Sequence, residues 1–189
     1  MKIDLYIFDS IHQFAGIFWP LDWLGILGAK YLPYLLIIAA LYFLFRLKTS
    51  KEKLFFLSFT ALATLLSRGI ITEAFRFFYD RPRPFVALGF QPLISQDIAG
   101  SFPSGHAAFY FALTLCLYLF NKKWGWWFMV LSLFMGLARV FVGVHYPSDI
   151  LGGMAIAAVS FFVVLKIFSG NVTDETLDKK SLETLEKAA

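Results

Sequence analysis

Charge is what this chain lacks. Asp, Glu, Lys and Arg make up only 16% of its 189 residues, where a soluble domain carries about 25%. A chain so poor in charge cannot clothe a water-facing surface, and its net charge of +4 is no sign of nucleic-acid binding. Cysteine is nearly absent as well. Cys116 is the one example, and it lies in an apolar run, which excludes a disulfide framework and a thiolate metal site. No cluster of carboxylates stands near the polar loops, so the oxygen cage that a hard cation requires is missing. Histidine is scarce, with three in the chain. No internal repeat and no second domain is visible.

What the chain has instead is apolar length. Hydrophobic residues make up 59% and aromatic residues 19%, and mean hydropathy is +0.68. Five apolar stretches run approximately over Tyr31–Leu47, Leu54–Thr72, Ser104–Phe120, Trp124–Val142 and Ile150–Phe168. Each reaches the ~17–25 residues that carry a helix across a bilayer. The expected fold is therefore all-α, a polytopic transmembrane helix bundle with one membrane-embedded domain over residues 1–169. Residues 1–19 are amphipathic, with Asp4, Asp9, His12 and Gln13 interrupting Ile3, Tyr6, Ile7, Ile11, Phe14, Phe18 and Trp19. That pattern predicts a helix lying at the interface, with a sixth crossing as the alternative. It is not expected to be a secretory signal, since no basic start precedes a clean apolar core. His12 is read as an interfacial polar residue. Residues 170–189 are polar and predict a cytoplasmic tail.

The loop charges set an orientation. Arg46, Lys48, Lys51 and Lys53 follow the first span, Lys122 and Lys123 follow the third, and Lys166 ends the fifth. If all five stretches cross, these places share one side, and the positive-inside bias makes it cytoplasmic. The other side then receives three unusual segments. One is Pro103-Ser104-Gly105-His106, which opens directly into an apolar run. A helix start leaves N–H groups unpaired at the positive end of its dipole, which suits an anion, and Ser104 and Gly105 let the backbone approach closely. The second runs from Glu73 to Pro84. Arg76 and Arg83 are seven residues apart in it, two turns on one face if the helix continues. The prolines end the helix and stiffen an extended stretch around Arg83. Arginine suits phosphate because its planar fork grips two oxygens at once. The third segment holds Arg139 inside an apolar helix, then His145 and Asp149. Asp149 has two readings, a cap for the helix after Pro147 or an acceptor for one nitrogen of His145. Arg68 and Glu73 are read chiefly as a structural pair within the bundle.

These segments resemble the signature of the type 2 phosphatidic acid phosphatase superfamily, which includes vanadium haloperoxidases. They stand here as Arg76-x6-Arg83-Pro84, Pro103-Ser104-Gly105-His106 and Arg139-x5-His145-x3-Asp149. Two departures are visible: Arg76 takes a place where Lys is usual, and Ala138 replaces a Ser. The resemblance implies a phosphate cradle of Arg76, Arg83, Ser104, Gly105 and Arg139. It implies His145 as nucleophile, His106 as acid and then base, and Asp149 as the residue that fixes His145. It implies no cofactor and no metal. The partners it implies are a lipid phosphate or diphosphate and the bilayer, with no nucleic acid and no obligate protein partner. The short Arg-Pro-Arg-Pro-Phe-Val form looks like bacterial undecaprenyl-diphosphate phosphatases of that superfamily. A phosphatidylglycerophosphate or phosphatidate phosphatase is the runner-up. A haloperoxidase and a non-catalytic phosphate or lipid transporter are remoter readings.

Overall fold

The computed structural model describes residues 2–170, and the expected tail from residue 171 onward lies outside them. The described chain is helical. Helix α1 covers Lys2–His12, α2 Trp19–Arg46, α3 Ser50–Phe78, α4 Pro84–Leu88, α5 Gly105–Phe120, α6 Lys122–Phe141 and α7 Pro147–Gly170. Helices α2, α3, α6 and α7 are long and apolar enough to cross a membrane. The protein is a multi-pass membrane protein, and its outward-facing Leu, Ile, Phe and Trp side chains form the surface that lipid covers. Helix α1 has 11 residues. At ~1.5 Å per residue it is about 17 Å long, too short for a hydrocarbon core of ~30 Å.

Helix α5 is the centre. It packs against α7, α6 and α3, and ten of its residues are buried, from Gly105 to Leu117. Its contact with α7 is closest at the start. A Cβ on Gly153 would sit 2.7 Å from the Ser104 carbonyl oxygen, so only glycine lets the two backbones meet there. With 16 residues, α5 is also the shortest of the five apolar helices.

The first two spans begin or end elsewhere than the apolar runs predict. Helix α2 starts at Trp19 instead of Tyr31. Asp22, Lys30 and Pro33 interrupt the hydropathy there but not the helix, because a wide π turn over Leu27–Tyr31 absorbs the irregularity. Helix α3 runs on to Phe78, past Glu73 and Arg76, with a second π turn over Leu65–Ile71. It stops ahead of Pro82, so Arg83 does not share a helical face with Arg76 as an unbroken helix would require. Arg83 instead has extended backbone at the cap of α4.

The connections place the motifs. Following the helix directions, the end of α3, the start of α5, the end of α6 and the start of α7 all lie at one end of the bundle. The basic loops 46–53 and 121–123 lie at the other. Helix α1 packs against α6 and α7 through Phe8, which is 1% exposed.

Candidate active site

A cavity of about 390 Å³ opens at the motif end, lined among others by Arg68, Arg76, Arg83, Arg139, His106 and His145. Helix α3 contributes Arg68 and Arg76, the turn before α4 contributes Arg83, and α5 contributes Gly105 and His106. Helix α6 and the turn after it contribute Arg139 and His145. The three sequence motifs therefore meet in one place.

Each guanidinium is held from behind. Arg83 Nε donates to the Ala99 carbonyl at 2.8 Å and its Nη1 to the Val144 carbonyl at 3.0 Å. Arg76 Nη2 donates to the Pro103 carbonyl at 3.1 Å. Arg139 is 2% exposed; its Nη2 donates to Gln96 Oε1 at 2.8 Å and its Nη1 to the Ala29 carbonyl at 3.2 Å. The Ala29 contact has a local cause. Pro33 has no N–H to offer the carbonyl four residues back, and Arg139 takes that acceptor. Arg76 Nε and Arg139 Nε are buried without a hydrogen bond. Burial and the Arg76 cation push the Arg83 guanidinium down to about 10, so Arg83 stays charged at neutral pH.

His145 is 1% exposed and Asp149 0%. The imidazole Nδ1 faces Asp149 Oδ2 at 3.3 Å, and Nε2 lies 3.3 Å from Arg83 Nη1. With Nδ1–H donated to the carboxylate, the Nε2 lone pair accepts from Arg83 Nη1 at the cavity wall. Burial first, then the Arg139 and Arg83 cations, outweigh the Asp149 contact and push His145 down to about 3. The imidazole is therefore neutral across the working pH range. Asp149 combines both of its readings: Oδ2 also accepts from the Tyr146 amide at 2.8 Å and from the Ser101 hydroxyl.

Ser104 differs from its expected place. Its Oγ caps α5 by accepting from the Ala107 amide at 3.4 Å, and it is 0% exposed. The cavity wall at that point is Gly105, over which Arg68 lies; a Cβ on Gly105 would sit 2.4 Å from Arg68 Nε. Arg68 pairs with Glu73, as the structural reading has it, and also lines the cavity. Ala138 faces α2 rather than the cavity: a Cβ on Gly28 would lie 2.7 Å from the Ala138 Cβ. His12 is half-buried; its Nδ1 donates to the Phe141 carbonyl at 2.8 Å, and its ring stacks on Phe8 and packs tilted against Phe90.

Three contributors escaped the sequence reading. Gln96 braces Arg139 from a loop with no motif. Ser101 reaches Asp149. Arg81 Nη1 donates to Asp149 Oδ1 at 2.8 Å; the alternation Arg-Pro-Arg-Pro was its only signal.

Known proteins share the sequence pattern and the fold. The family described as the PAP2 superfamily matches residues 56–172. The undecaprenyl-diphosphatase BcrC of Bacillus subtilis is 32% identical over 162 residues, covering 85% of this chain and 81% of that protein. Aquifex aeolicus LpxE has a similar structure, with a TM-score of 0.65 at 25% identity over 86% of this chain and 94% of its own. A transmembrane PAP2-type phosphatidylglycerolphosphate phosphatase from Bacillus subtilis shares the fold, with a TM-score of 0.61 at 23% identity over 92% and 88%.

Proposed function

The chain belongs to the PAP2 superfamily and is a membrane lipid phosphatase, and from that premise we propose that it hydrolyses an isoprenoid diphosphate, most simply undecaprenyl diphosphate to undecaprenyl phosphate. One observation carries the choice of a diphosphate. Four guanidinium groups, those of Arg68, Arg76, Arg83 and Arg139, line a single cavity, and Arg68 lies outside the three motifs. The 32% identity to an undecaprenyl-diphosphatase supports the same reading. Residues 1–169 act as one membrane-embedded unit in this proposal.

The steps follow from the geometry. His145 Nε2 attacks the terminal phosphorus as the bond to the bridging oxygen breaks. Arg76, Arg83, Arg139 and the Gly105 N–H hold the negative oxygens of the five-coordinate phosphorus. Protonated His106 gives its proton to the leaving oxygen. Asp149 stabilises the phosphohistidine cation. His106, now neutral, takes a proton from water as that water attacks phosphorus and the bond to His145 Nε2 breaks, which releases inorganic phosphate and restores His145. Asp97, exposed at the cavity, and the loop carrying Gln96 sit beside this path.

The decisive assay measures phosphate release by the purified protein from farnesyl diphosphate, farnesyl phosphate, phosphatidylglycerophosphate and phosphatidate in detergent micelles. The diphosphate is expected to give the highest kcat/KM. A higher value for phosphatidylglycerophosphate transfers the assignment to the runner-up. In the same assay excess EDTA is expected to leave the rate unchanged. Vanadate is expected to inhibit competitively, because it adopts the five-coordinate geometry that the arginines favour. Activity lost in EDTA and restored by Mg²⁺ argues against the phosphohistidine route.

In this proposal the cavity faces the outer side of the cytoplasmic membrane, with the C-terminus inside. Arg46, Lys48, Lys51, Lys53, Lys122 and Lys123 stand at the opposite end of the bundle, and cytoplasmic loops favour Lys and Arg. Ser95 is exposed in the loop beside the cavity, and Cys116 is fully buried. A Ser95→Cys, Cys116→Ala protein is expected to react with a membrane-impermeant maleimide in intact cells. Reaction only after permeabilisation reverses the orientation.

A further inference from the structure

Helix α1 stands outside every motif, yet one of its side chains reaches the catalytic cluster. Asp4 Oδ2 accepts from Arg81 Nη2 at 2.5 Å and from Ser148 Oγ at 2.6 Å. Asp4 Oδ1 accepts from the Ser148 amide at 2.9 Å, in the first turn of α7. Arg81 Nη1 in turn donates to Asp149 Oδ1 at 2.8 Å and to Ser148 Oγ at 2.6 Å. The Arg81 guanidinium lies 4.0 Å from the centroid of the Tyr146 ring, which fixes its plane. These side chains are largely withdrawn from solvent: Arg81 is 15% exposed, Asp4 13% and Asp149 0%.

We propose that Asp4 is a positioning residue of the active site, acting through Arg81 on the Asp149 carboxylate that orients His145. The reasoning is electrostatic and geometric. Asp149 has to face a His145 ring that becomes positive when it is phosphorylated. Paired with Arg81 alone, Asp149 is half of a neutral ion pair and offers that ring little net charge. With Asp4 on the other edge of the same guanidinium, the group Asp149–Arg81–Asp4 carries a net charge of −1 beside His145. Asp4 also draws Arg81 back from the cavity, so the guanidinium holds Oδ1 while Oδ2 stays turned to the imidazole. Burial works against charge on Asp4 and on Arg81. The Arg81 and Ser148 contacts overcome it for Asp4 and hold its carboxyl below the usual range, while the two carboxylates raise Arg81. The N-terminal helix is thereby a working part of the site, anchored for the purpose by Phe8 and by the contact of His12 with the Phe141 carbonyl.

This inference rests on the phosphatase reading. Phosphate release by the wild-type protein tests that reading by itself, and variants at Asp4 and Arg81 test only the relay. With farnesyl diphosphate in detergent micelles, Asp4→Asn is expected to lower kcat about 10- to 100-fold, the cost typical of losing an outer partner of a working imidazole. KM is expected to stay within about threefold of wild type, since Asp4 does not line the cavity. Asp4→Ser keeps an oxygen for the Ser148 amide, removes the charge and gives a second route to the same measurement. In an Arg81→Gln background, Asp4→Asn is expected to cost less than about twofold, because the residue through which it acts is gone. A kcat for Asp4→Asn within twofold of wild type overturns the proposal. So does an equal fold-loss in the wild-type and Arg81→Gln backgrounds, and so does a loss carried by KM alone.

Discussion

His145→Ala is expected to abolish phosphate release, with a loss of at least about 10⁴-fold in kcat. Its Nε2 is the imidazole nitrogen that presents a lone pair at the cavity wall, where it accepts from Arg83 Nη1, because Nδ1 is turned to Asp149 at 3.3 Å. Water held in the cradle has no comparable lone pair aimed at phosphorus, so the arginines alone leave only residual catalysis. The imidazole makes one contact each to Arg83, Asp149 and Ser101, and α7 and α5 are packed independently of it. The variant is therefore expected to elute as folded protein and to retain vanadate binding in the cradle. Because burial keeps His145 neutral down to about pH 3, its protonation does not set the acid limb of the wild-type rate profile. Activity within tenfold of wild type removes His145 from the nucleophile's place.

Arg139→Met is expected to separate activity from stability. Among the described residues no carboxylate pairs with Arg139, which is 2% exposed and shares its cavity wall with Arg76 and Arg83. A buried cation without a counter-charge, repelled by like neighbours, costs the fold free energy, and an apolar side chain of similar volume relieves it. The thermal midpoint in detergent is expected to rise or stay level. The rate is expected to fall about 10²–10³-fold, the cost of one donor aimed at developing negative charge. Arg139→Lys is expected to recover little, since an ammonium cannot hold Ala29 and Gln96 and still present a planar fork. A variant that melts well below wild type indicates that Arg139 is structural. One with near-normal kcat/KM lies outside the cradle.

Most of the site was legible because its chemistry is confined to rare residue types in an apolar chain. Arg139, His145 and Asp149 stand out across the end of one apolar helix and the start of the next, which otherwise need none of them. The helix start at Ser104 was legible too, though Ser104 turned out to cap the helix and leave the cavity wall to Gly105. What escaped reading was long-range. Asp4 and Arg81 are separated by 77 residues, and an acidic residue on an amphipathic helix looks like any interfacial polar group. Arg68 reads as half of an ion pair until the packing of Gly105 brings it over the cavity. The early start of α2 was hidden because hydropathy falls at Lys30 and Pro33, while a π turn lets the helix continue through them.

The shortness of α5 has a consequence for kinetics. Its 16 residues extend about 24 Å, against a hydrocarbon layer of ~30 Å. With Lys122 and Lys123 in the polar layer at its far end and the helix upright, Gly105 would stop about 6 Å below the opposite boundary. A phosphate reaches Gly105 by sinking below the plane of its neighbours while its tail stays among theirs. Encounter is then lateral diffusion within the sheet of lipid, and the rate obeys surface dilution: it follows the mole fraction of substrate in the micelle or bilayer, not its amount per litre.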